Sequence, residues 1–186
     1  FMGESGYFVT YEQVDPLFSV DLSDPEKPKI LGKLKIPGFS EYLHFYGEDR
    51  LLGIGMSTDE ESGVAEGVKI TMFDISDRSD VKEESTLVLD DLYGSHAAYD
   101  YKSVLADPEK NVIGLSGYSQ NGESYYLLTY NRSDRKFETI LQEEVNGNTS
   151  QGIRGIYIKD TLYVISGNII EAYDMNTGMK SGDIIL

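Results

Sequence analysis

The stretch LFSVDLSDPEKPKILGKLKIPG, from Leu17 to Gly38, decides the fold because a similar phrase returns further along the chain. It reads as an apolar strand, a polar turn and a second strand. The phrase ITMFDISDRSDVKEESTLVL repeats that order from Ile70 to Leu89, and the shorter LLTYNRSD and IEAYDMNTG follow it. Self-similarity at intervals of this kind is typical of a chain built from repeated structural units.

Each copy of the phrase is aligned on one Asp or Asn residue, which we call its anchor. The four anchors are Asp21, Asp74, Asn131 and Asp174. Apolar residues stand four positions and one position before every anchor. Because these offsets have opposite parity, each strand has apolar residues on both of its faces, which is typical of a strand buried between neighbouring sheets. The short polar residues that follow the anchors favour a turn.

A second phrase recurs out of step with the first and completes the repeated unit. It reads LLGIG from Leu51, VIGLSG from Val112 and LYVISG from Leu162. Strand candidates precede it as EYLHFY, AAYDYKSVL and IRGIYI, and a further candidate follows each anchor. The sequence therefore predicts a four-stranded antiparallel meander in each repeat, with no helix between repeats. Units of this length favour the blades of a β-propeller over a sandwich.

The count of strands predicts an all-β, partial β-propeller over residues 1–186 as a single domain. It has part of one blade at 7–36 and blades at about 41–89, 96–145 and 153–186, or about 3.7 blades where a propeller closes with about 4 to 8. We therefore expect a C-terminal fragment of a longer propeller. A closed ring of four blades, completed by a terminal swap, is the alternative. Blade faces left exposed at 7–36 and 154–186 would favour self-association.

The composition excludes several classes of function. The chain has 32 acidic and 16 basic residues, for a net charge of −16, so nucleic acid is a disfavoured partner. It has no cysteine, which excludes disulfides and thiolate metal sites. It has no run of 18 apolar residues and no phosphate loop, nucleophile elbow or zinc-protease helix motif. We therefore predict no membrane span, no cofactor and no metal.

The only two histidines, His44 and His96, lie 52 residues apart, close to one repeat. Both fall on the predicted innermost strand of a blade. One interpretation is that they line a central channel and bind a ligand. The other is that each bonds a nearby polar group and fixes its blade, as buried polar residues must. No third ligand is suitably spaced for zinc, so we predict no metal site here.

Several tyrosines lie on the same predicted inner strands. Tyrosine offers a large contact area at low entropic cost, which suits a sugar or peptide ligand, although core packing would explain these residues equally well. We therefore predict six candidate ligand-binding residues and no catalytic residue. The candidates are Tyr42, His44, His96, Tyr99, Tyr101 and Arg154.

The lengths of the predicted loops suggest which end of the sheets would bind. One end has the short turns GED, DPEK and SDPEKP. The other is predicted to have long loops at 56–67, 90–95, 116–124 and 146–152. Binding usually resides in long loops on a rigid scaffold, so we predict binding at this second end. The acidic stretch STDEESGVAEG at 57–67 could chelate a cation, but a solvated connector is the simpler interpretation.

Four stretches resemble the secreted bacterial proteins with a C-terminal β-propeller domain distantly related to WD40 repeats. They are VTYEQVDPLFSVDLSDPEKP, LGKLKIPGFSEYLH, DPEKN and RGIYIKDTLYVISGN, and the likeness runs over about residues 7–186. The resemblance implies more blades, an extracellular or cell-surface location and no established activity. Phe45 stands where the family usually has Pro, and Tyr101 stands where it often has His. The second departure puts in doubt any chemistry by a shared histidine.

Together these features predict a non-enzymatic extracellular module that binds an unknown protein or glycan. The alternative is an enzyme that hydrolyses carbohydrate or peptide with paired carboxylates in the channel. Such an enzyme would gather acids of raised pKa in one pocket. A third possibility is a structural role, in which the blades position other parts of a longer protein.

Overall fold

The computed structural model describes residues 1–10, 16–59, 61–145 and 152–186. In these residues sixteen β-strands and two short 3₁₀ helices form four antiparallel sheets, so the all-β prediction is confirmed. The chain divides into two compact units, Phe1–Asp90 and Asp91–Leu186. Within the described ranges, we find no helix with the length and hydrophobicity that crossing a bilayer requires.

The first unit contains sheets 1 and 2. Sheet 1 has the order β1-β2-β3, with β1 Ser5–Val9, β2 Pro16–Asp21 and β3 Lys29–Lys35. Sheet 2 has the order β4-β5-β6-β7, with β4 Phe39–Phe45, β5 Arg50–Thr58, β6 Ala65–Asp74 and β7 Lys82–Leu89. The core packs Leu17 of sheet 1 with Leu51 and Phe73 of sheet 2. The repeated strands that we aligned by their anchors therefore lie in separate sheets.

The second unit contains sheets 3 and 4. Sheet 3 has the order β12-β11-β10-β8, with β9 also paired to β10; its strands are β8 Leu92–Ser95, β9 Leu105–Asp107, β10 Val112–Ser119, β11 Gly122–Asn131 and β12 Lys136–Glu144. Sheet 4 has the order β13-β14-β15-β16, with β13 Ile153–Ile158, β14 Thr161–Ser166, β15 Ile169–Asp174 and β16 Lys180–Ile185. Tyr125 and Leu127 of sheet 3 pack with Leu162 and Tyr173 of sheet 4.

The anchors behave as the sequence predicts. Strands β2, β6, β11 and β15 each end on their anchor. The Asp74 carboxylate accepts hydrogen bonds from the Ser76 amide at 2.9 Å and the Ser76 hydroxyl at 2.6 Å, and these bonds lower the pKa of Asp74. The side chains of Asp21, Asn131 and Asp174 accept equivalent bonds. Residues 68–73 of β6 are buried on both faces, as the parity argument requires.

The predicted continuous strand AAYDYKSVL is wrong. Its residues mostly form two 3₁₀ helices, His96–Ala98 and Tyr101–Ser103, and only β9 continues the sheet. Conversely, the predicted loop at 90–95 contains strand β8. The reason is local, because the Ser95 hydroxyl accepts from the Ala97 amide at 3.1 Å and the Asp100 carboxylate accepts from the Lys102 amide at 3.0 Å. Side-chain bonds of this kind compete with the strand ladder.

The predicted contrast in loop length is also wrong. Two residues, 120–121, join β10 to β11, and two residues, 167–168, join β14 to β15, whereas seven residues follow each of the anchors Asp21 and Asp74. The strands extend further than we predicted, and Asn121-Gly122 closes the first of these hairpins with Gly122 at a φ of 132°, a value that favours glycine. The predicted loop 146–152 lies almost entirely outside the described residues.

Both segments predicted to expose blade faces carry exposed apolar side chains. Ile30 of β3 is 67% exposed, and Ile184 and Ile185 of β16 are 60% and 70% exposed. Self-association through these faces stays a prediction, as does the grouping of all four sheets in one domain.

Candidate functional site

In the first unit, Tyr42 and His44 lie together on β4. The Tyr42 hydroxyl is 2.8 Å from His44 Nδ1, and the two rings stack with centroids 5.9 Å apart. Both side chains are half-buried, and that burial raises the pKa of Tyr42 and lowers the pKa of His44. A β-bulge at Glu41 separates Ser40 from Tyr42, and burial raises the pKa of Glu41. Bulges of this kind can re-aim the side chains next to them.

In the second unit, the corresponding strand is divided by a segment that we call the insert, residues 96–104. Strand β8 pairs with one end of β10, at Gly117–Ser119, and β9 pairs with the other end, at Val112–Gly114. The insert leaves the sheet after Ser95 and returns at Leu105. It carries three of the predicted candidates, His96, Tyr99 and Tyr101.

His96 is the first residue of the insert and is buried, with only 4% of its surface exposed. Its Nδ1 lies 3.1 Å from the Ser116 hydroxyl of β10, and its Nε2 lies 3.2 Å from Glu123 Oε2 of β11. The ring also packs against Tyr118, with centroids 4.5 Å apart. Glu123 Oε2 is buried and makes no hydrogen bond, so the imidazole is its close polar neighbour. These contacts favour the interpretation that His96 fixes its blade.

The order Ser116, His96 and Glu123 superficially resembles a nucleophilic triad. A serine nucleophile must be reachable by the carbonyl that it attacks. Ser116 is fully buried in the middle of β10, and Ser95 bonds its carbonyl at 3.2 Å. We therefore assign a structural role to this arrangement.

Tyr99 and Tyr101 form the exposed surface of the insert, at 66% and 67% exposure. Between them lies Asp100, whose carboxylate is 3.4 Å from the guanidinium of Arg154 on β13. The Lys102 ammonium lies 5.8 Å from the centre of the Tyr101 ring. Tyr99 and Tyr101 thus flank Asp100 in the chain, and Asp100 pairs with the third predicted candidate, Arg154.

Sequence reasoning missed the residues that hold this arrangement in place. Ser116 hydrogen-bonds His96 and Glu123 lies 3.2 Å from its ring, each from a neighbouring strand, and their contribution depends on strand register. Asp100 and Ser103 had a local signal, because DYKS places short polar residues as the anchor turns do. The Ser103 hydroxyl donates to the Asp100 carbonyl at 2.7 Å.

No group of three or more His, Asp or Glu side chains in the described part of the chain is arranged as metal ligands. In the acidic loop, the Asp59 carboxylate accepts from the amide and hydroxyl of Ser62 at 2.8 and 2.7 Å. Glu66 accepts from the Ser57 hydroxyl at 2.8 Å. These bonds support the loop itself, which is typical of a solvated connector.

Comparison with known families and proteins gives a consistent fold. Residues 1–178 match the family model described as the beta propeller domain. An uncharacterised protein of Archaeoglobus fulgidus is 40% identical over the whole of this chain and 27% of its own length. An uncharacterised protein of Methanocaldococcus jannaschii is 34% identical over 95% of this chain and 26% of its own length. The chain therefore spans about a quarter of the length of these archaeal relatives.

Two solved structures resemble the chain in fold. The Saccharomyces cerevisiae protein Sqt1 superposes with a TM-score of 0.65 at 14% identity, over 98% of this chain and 45% of that one. A protein from Lactobacillus plantarum superposes with a TM-score of 0.60 at 13% identity, over 98% of this chain and 54% of that one. At such low identity the likeness concerns the fold alone.

Proposed function

Because the chain belongs to the β-propeller domain family, we propose that it is a non-enzymatic binding module whose contact surface includes the insert. The observation that supports this proposal best is the pair Tyr99 and Tyr101. Each is about two-thirds exposed, on a segment that the buried His96 fixes to β10 and β11. Aromatic residues held in this way give a large contact area with little loss of entropy on binding.

The anchoring matters because a mobile aromatic side chain loses part of its binding energy when it is ordered. His96 holds the start of the insert through its hydrogen bond with Ser116 and its close contact with Glu123. In its second half the Asp100 carboxylate accepts from the Lys102 amide and the Ser103 hydroxyl donates to the Asp100 carbonyl. The tyrosines are thus presented on a preorganised segment, although they contribute little to the core.

Tyr42 and His44 are a second candidate surface, which belongs to the first unit. They are half-buried and bonded to each other, so they offer a smaller free surface than the insert does. Their role as ligand-binding residues stays a prediction.

The resemblance described above supports an extracellular or cell-surface location for this module, and a distant relation to WD40 repeats. The net charge of −16 suits a soluble surface that repels nucleic acid. Fractionation of the source cells with an antibody against this domain would test the location.

A hydrolytic enzyme is the alternative, and Glu41 is the observation that favours it. Burial raises the pKa of this carboxyl, which is a property of general acids. Glycoside hydrolysis needs a second carboxyl about 5 to 10 Å away. Loss of a measured hydrolytic activity in Glu41→Gln, with binding by the insert unchanged, would support this alternative.

The binding proposal is tested by screening the chain against glycan and peptide arrays and repeating the screen with a Tyr99→Ala, Tyr101→Ala variant. The variant is expected to lose at least 10-fold in affinity for a ligand found in the screen. The matched control is Ile184→Ala, Ile185→Ala, which removes side chains of similar exposure from β16 and should bind normally. Equal affinity in the wild type and the tyrosine variant would contradict the proposal.

A further inference from the structure

We infer that the ligand of the insert is an uncharged, polyhydroxylated ring, as found in a neutral glycan. This inference rests on the proposed function and specifies the ligand class of the same surface. It is carried by two exposed tyrosines, Tyr99 and Tyr101, and by the accessible ion pair that Asp100, the residue between them in the chain, makes with Arg154.

The charges at the insert disfavour an anionic ligand. The Arg154 guanidinium would attract a carboxylate or phosphate, but Asp100 already lies 3.4 Å from it. The pair is neutral as a whole, and the net charge of −16 on the chain repels anions at longer range.

At close range the same surface also disfavours a cationic ligand, although the net charge of −16 attracts cations at longer range. A cation would bind most favourably over an aromatic face. At Tyr101 the Lys102 ammonium lies 5.8 Å from the ring centre, so an incoming cation would meet a like charge there. The side chain of Asp100, which could otherwise attract the cation, is paired with Arg154.

An uncharged polyol can hydrogen-bond the exposed atoms of the ion pair and pack on the exposed tyrosine rings. The side chains of Arg154 and Asp100 remain 41% and 33% exposed, so the guanidinium can donate to ring hydroxyls and the carboxylate can accept from them. Tyr99 and Tyr101 supply flat apolar area with a polar hydroxyl at the tip. Neighbouring hydroxyls on a sugar ring both donate and accept, and the C–H faces of the ring can pack on an aromatic side chain.

The test compares four probes by NMR titration of the ¹⁵N-labelled chain: a neutral oligosaccharide mixture, sialylated oligosaccharides, a Lys/Arg-rich peptide and a Pro-rich peptide. We expect the neutral oligosaccharides to bind, with shift changes at residues 99–102 and Arg154. Their affinity should change less than 2-fold between 0.05 and 0.5 M salt, because salt screens only charged partners.

The variants separate the contribution of the ion pair from that of the fold. Arg154→Lys keeps the charge and loses the planar fork, and Asp100→Asn keeps the acceptor for the Lys102 amide. Each is expected to weaken neutral-glycan binding at least 5-fold. The matched control is Lys110→Met in the Lys110–Asp160 pair, which joins exposed side chains at 3.0 Å elsewhere in the same unit, and it should leave binding unchanged.

The outcomes distinguish the two proposals. Binding that shifts the amides of the insert but is confined to sialylated glycans or to either peptide would overturn the ligand class and leave the proposed function standing. Absence of binding to all four probes would overturn the ligand class alone, whereas binding with no shift changes in the insert would overturn both. The titration of the wild-type chain gives this answer even if a variant fails to fold.

Discussion

Strand β4 and the divided strand β8–β9 occupy the same place in successive sheets, yet only β4 is continuous. Each carries one of the two histidines. His44 is half-buried and bonds Tyr42 on its own strand, whereas His96 is buried, hydrogen-bonds Ser116 on β10 and contacts Glu123 on β11. The comparison teaches that the repeat determines sheet membership and strand order, while short polar side chains within the strand decide whether it stays regular.

The consequence for function follows from the same difference. A continuous strand turns alternate side chains toward opposite faces, and in β4 one residue is buried and the other six are only partly exposed. The insert is released from that alternation, and its tyrosines reach about two-thirds exposure. A departure from the repeat has thus created the larger free aromatic surface.

The largest expected effect on the free energy of unfolding comes from adding a methyl group at a tightly packed glycine, Gly155 in the second unit or Gly53 in the first. A methyl group on Gly155 of β13 would overlap the hydroxyl of Tyr125, a side chain that is fully buried. On β5, by contrast, a methyl group on Gly53 would meet the edge of Phe73 at 2.9 Å and the Ser40 hydroxyl at 3.0 Å. We expect Gly155→Ala to lower the free energy of unfolding by about 3 kcal/mol and Gly53→Ala by about 1 kcal/mol. Urea denaturation measures both, and equal losses would contradict this ranking.

The second prediction compares the two histidines directly. His96→Ala leaves Ser116 and the buried Glu123 oxygen without their imidazole partner, so we expect a loss of about 2 kcal/mol in the free energy of unfolding. His44→Ala removes a half-buried side chain, and we expect a loss of about 1 kcal/mol or less.

Hydrogen exchange sharpens this second comparison. In His96→Ala the amides of residues 97–103 should exchange faster, because the contacts of the imidazole with Ser116 and Glu123 are lost. His44→Ala should leave the exchange of these amides unchanged. Unaltered exchange of these amides in His96→Ala would argue against the anchoring role of His96.

The regular strands, including β4, could be predicted from the sequence more fully than the insert. Sheet order, the burial of β6 on both faces and the turns at the anchors could be predicted, because each depends on residue type at a fixed spacing. The insert could not, since Ser95 and Asp100 compete with a strand ladder whose strength depends on the whole sheet. The partners of His96 depend in turn on the register between β10 and β11, which the spacing of apolar residues did not specify.

The third prediction concerns the contribution of His44 to the pH dependence of stability. Burial lowers the pKa of His44, so the folded chain binds a proton at this residue less readily than the unfolded chain does. Stability should therefore be fully present above the unfolded value of about 6.5 and should fall as the pH drops below it. The hydrogen-bonded carboxylates, such as Asp74, lose their contribution only at lower pH, below about 4, because their folded pKa is lowered.

A double difference isolates the contribution of His44. The urea midpoint of the wild type is measured at pH 7.5 and pH 5, and the same pair of measurements is made on His44→Phe. The variant should lose less stability than the wild type over this interval, because other groups cancel in the comparison. An identical decrease in both proteins would show that the burial of His44 is not coupled to folding.

The smallest effect on stability is expected at the residues proposed to matter most for binding. Tyr99 and Tyr101 are about two-thirds exposed, so the double change to Ala should alter the free energy of unfolding by no more than about 0.5 kcal/mol. Sequence reasoning left open whether these tyrosines serve core packing or a ligand, and urea denaturation decides between the two. A loss of about 2 kcal/mol would assign them to packing, since only the removal of buried contacts has that cost. An unchanged urea midpoint would show that the two tyrosines do not stabilise the fold, as a binding role for them requires.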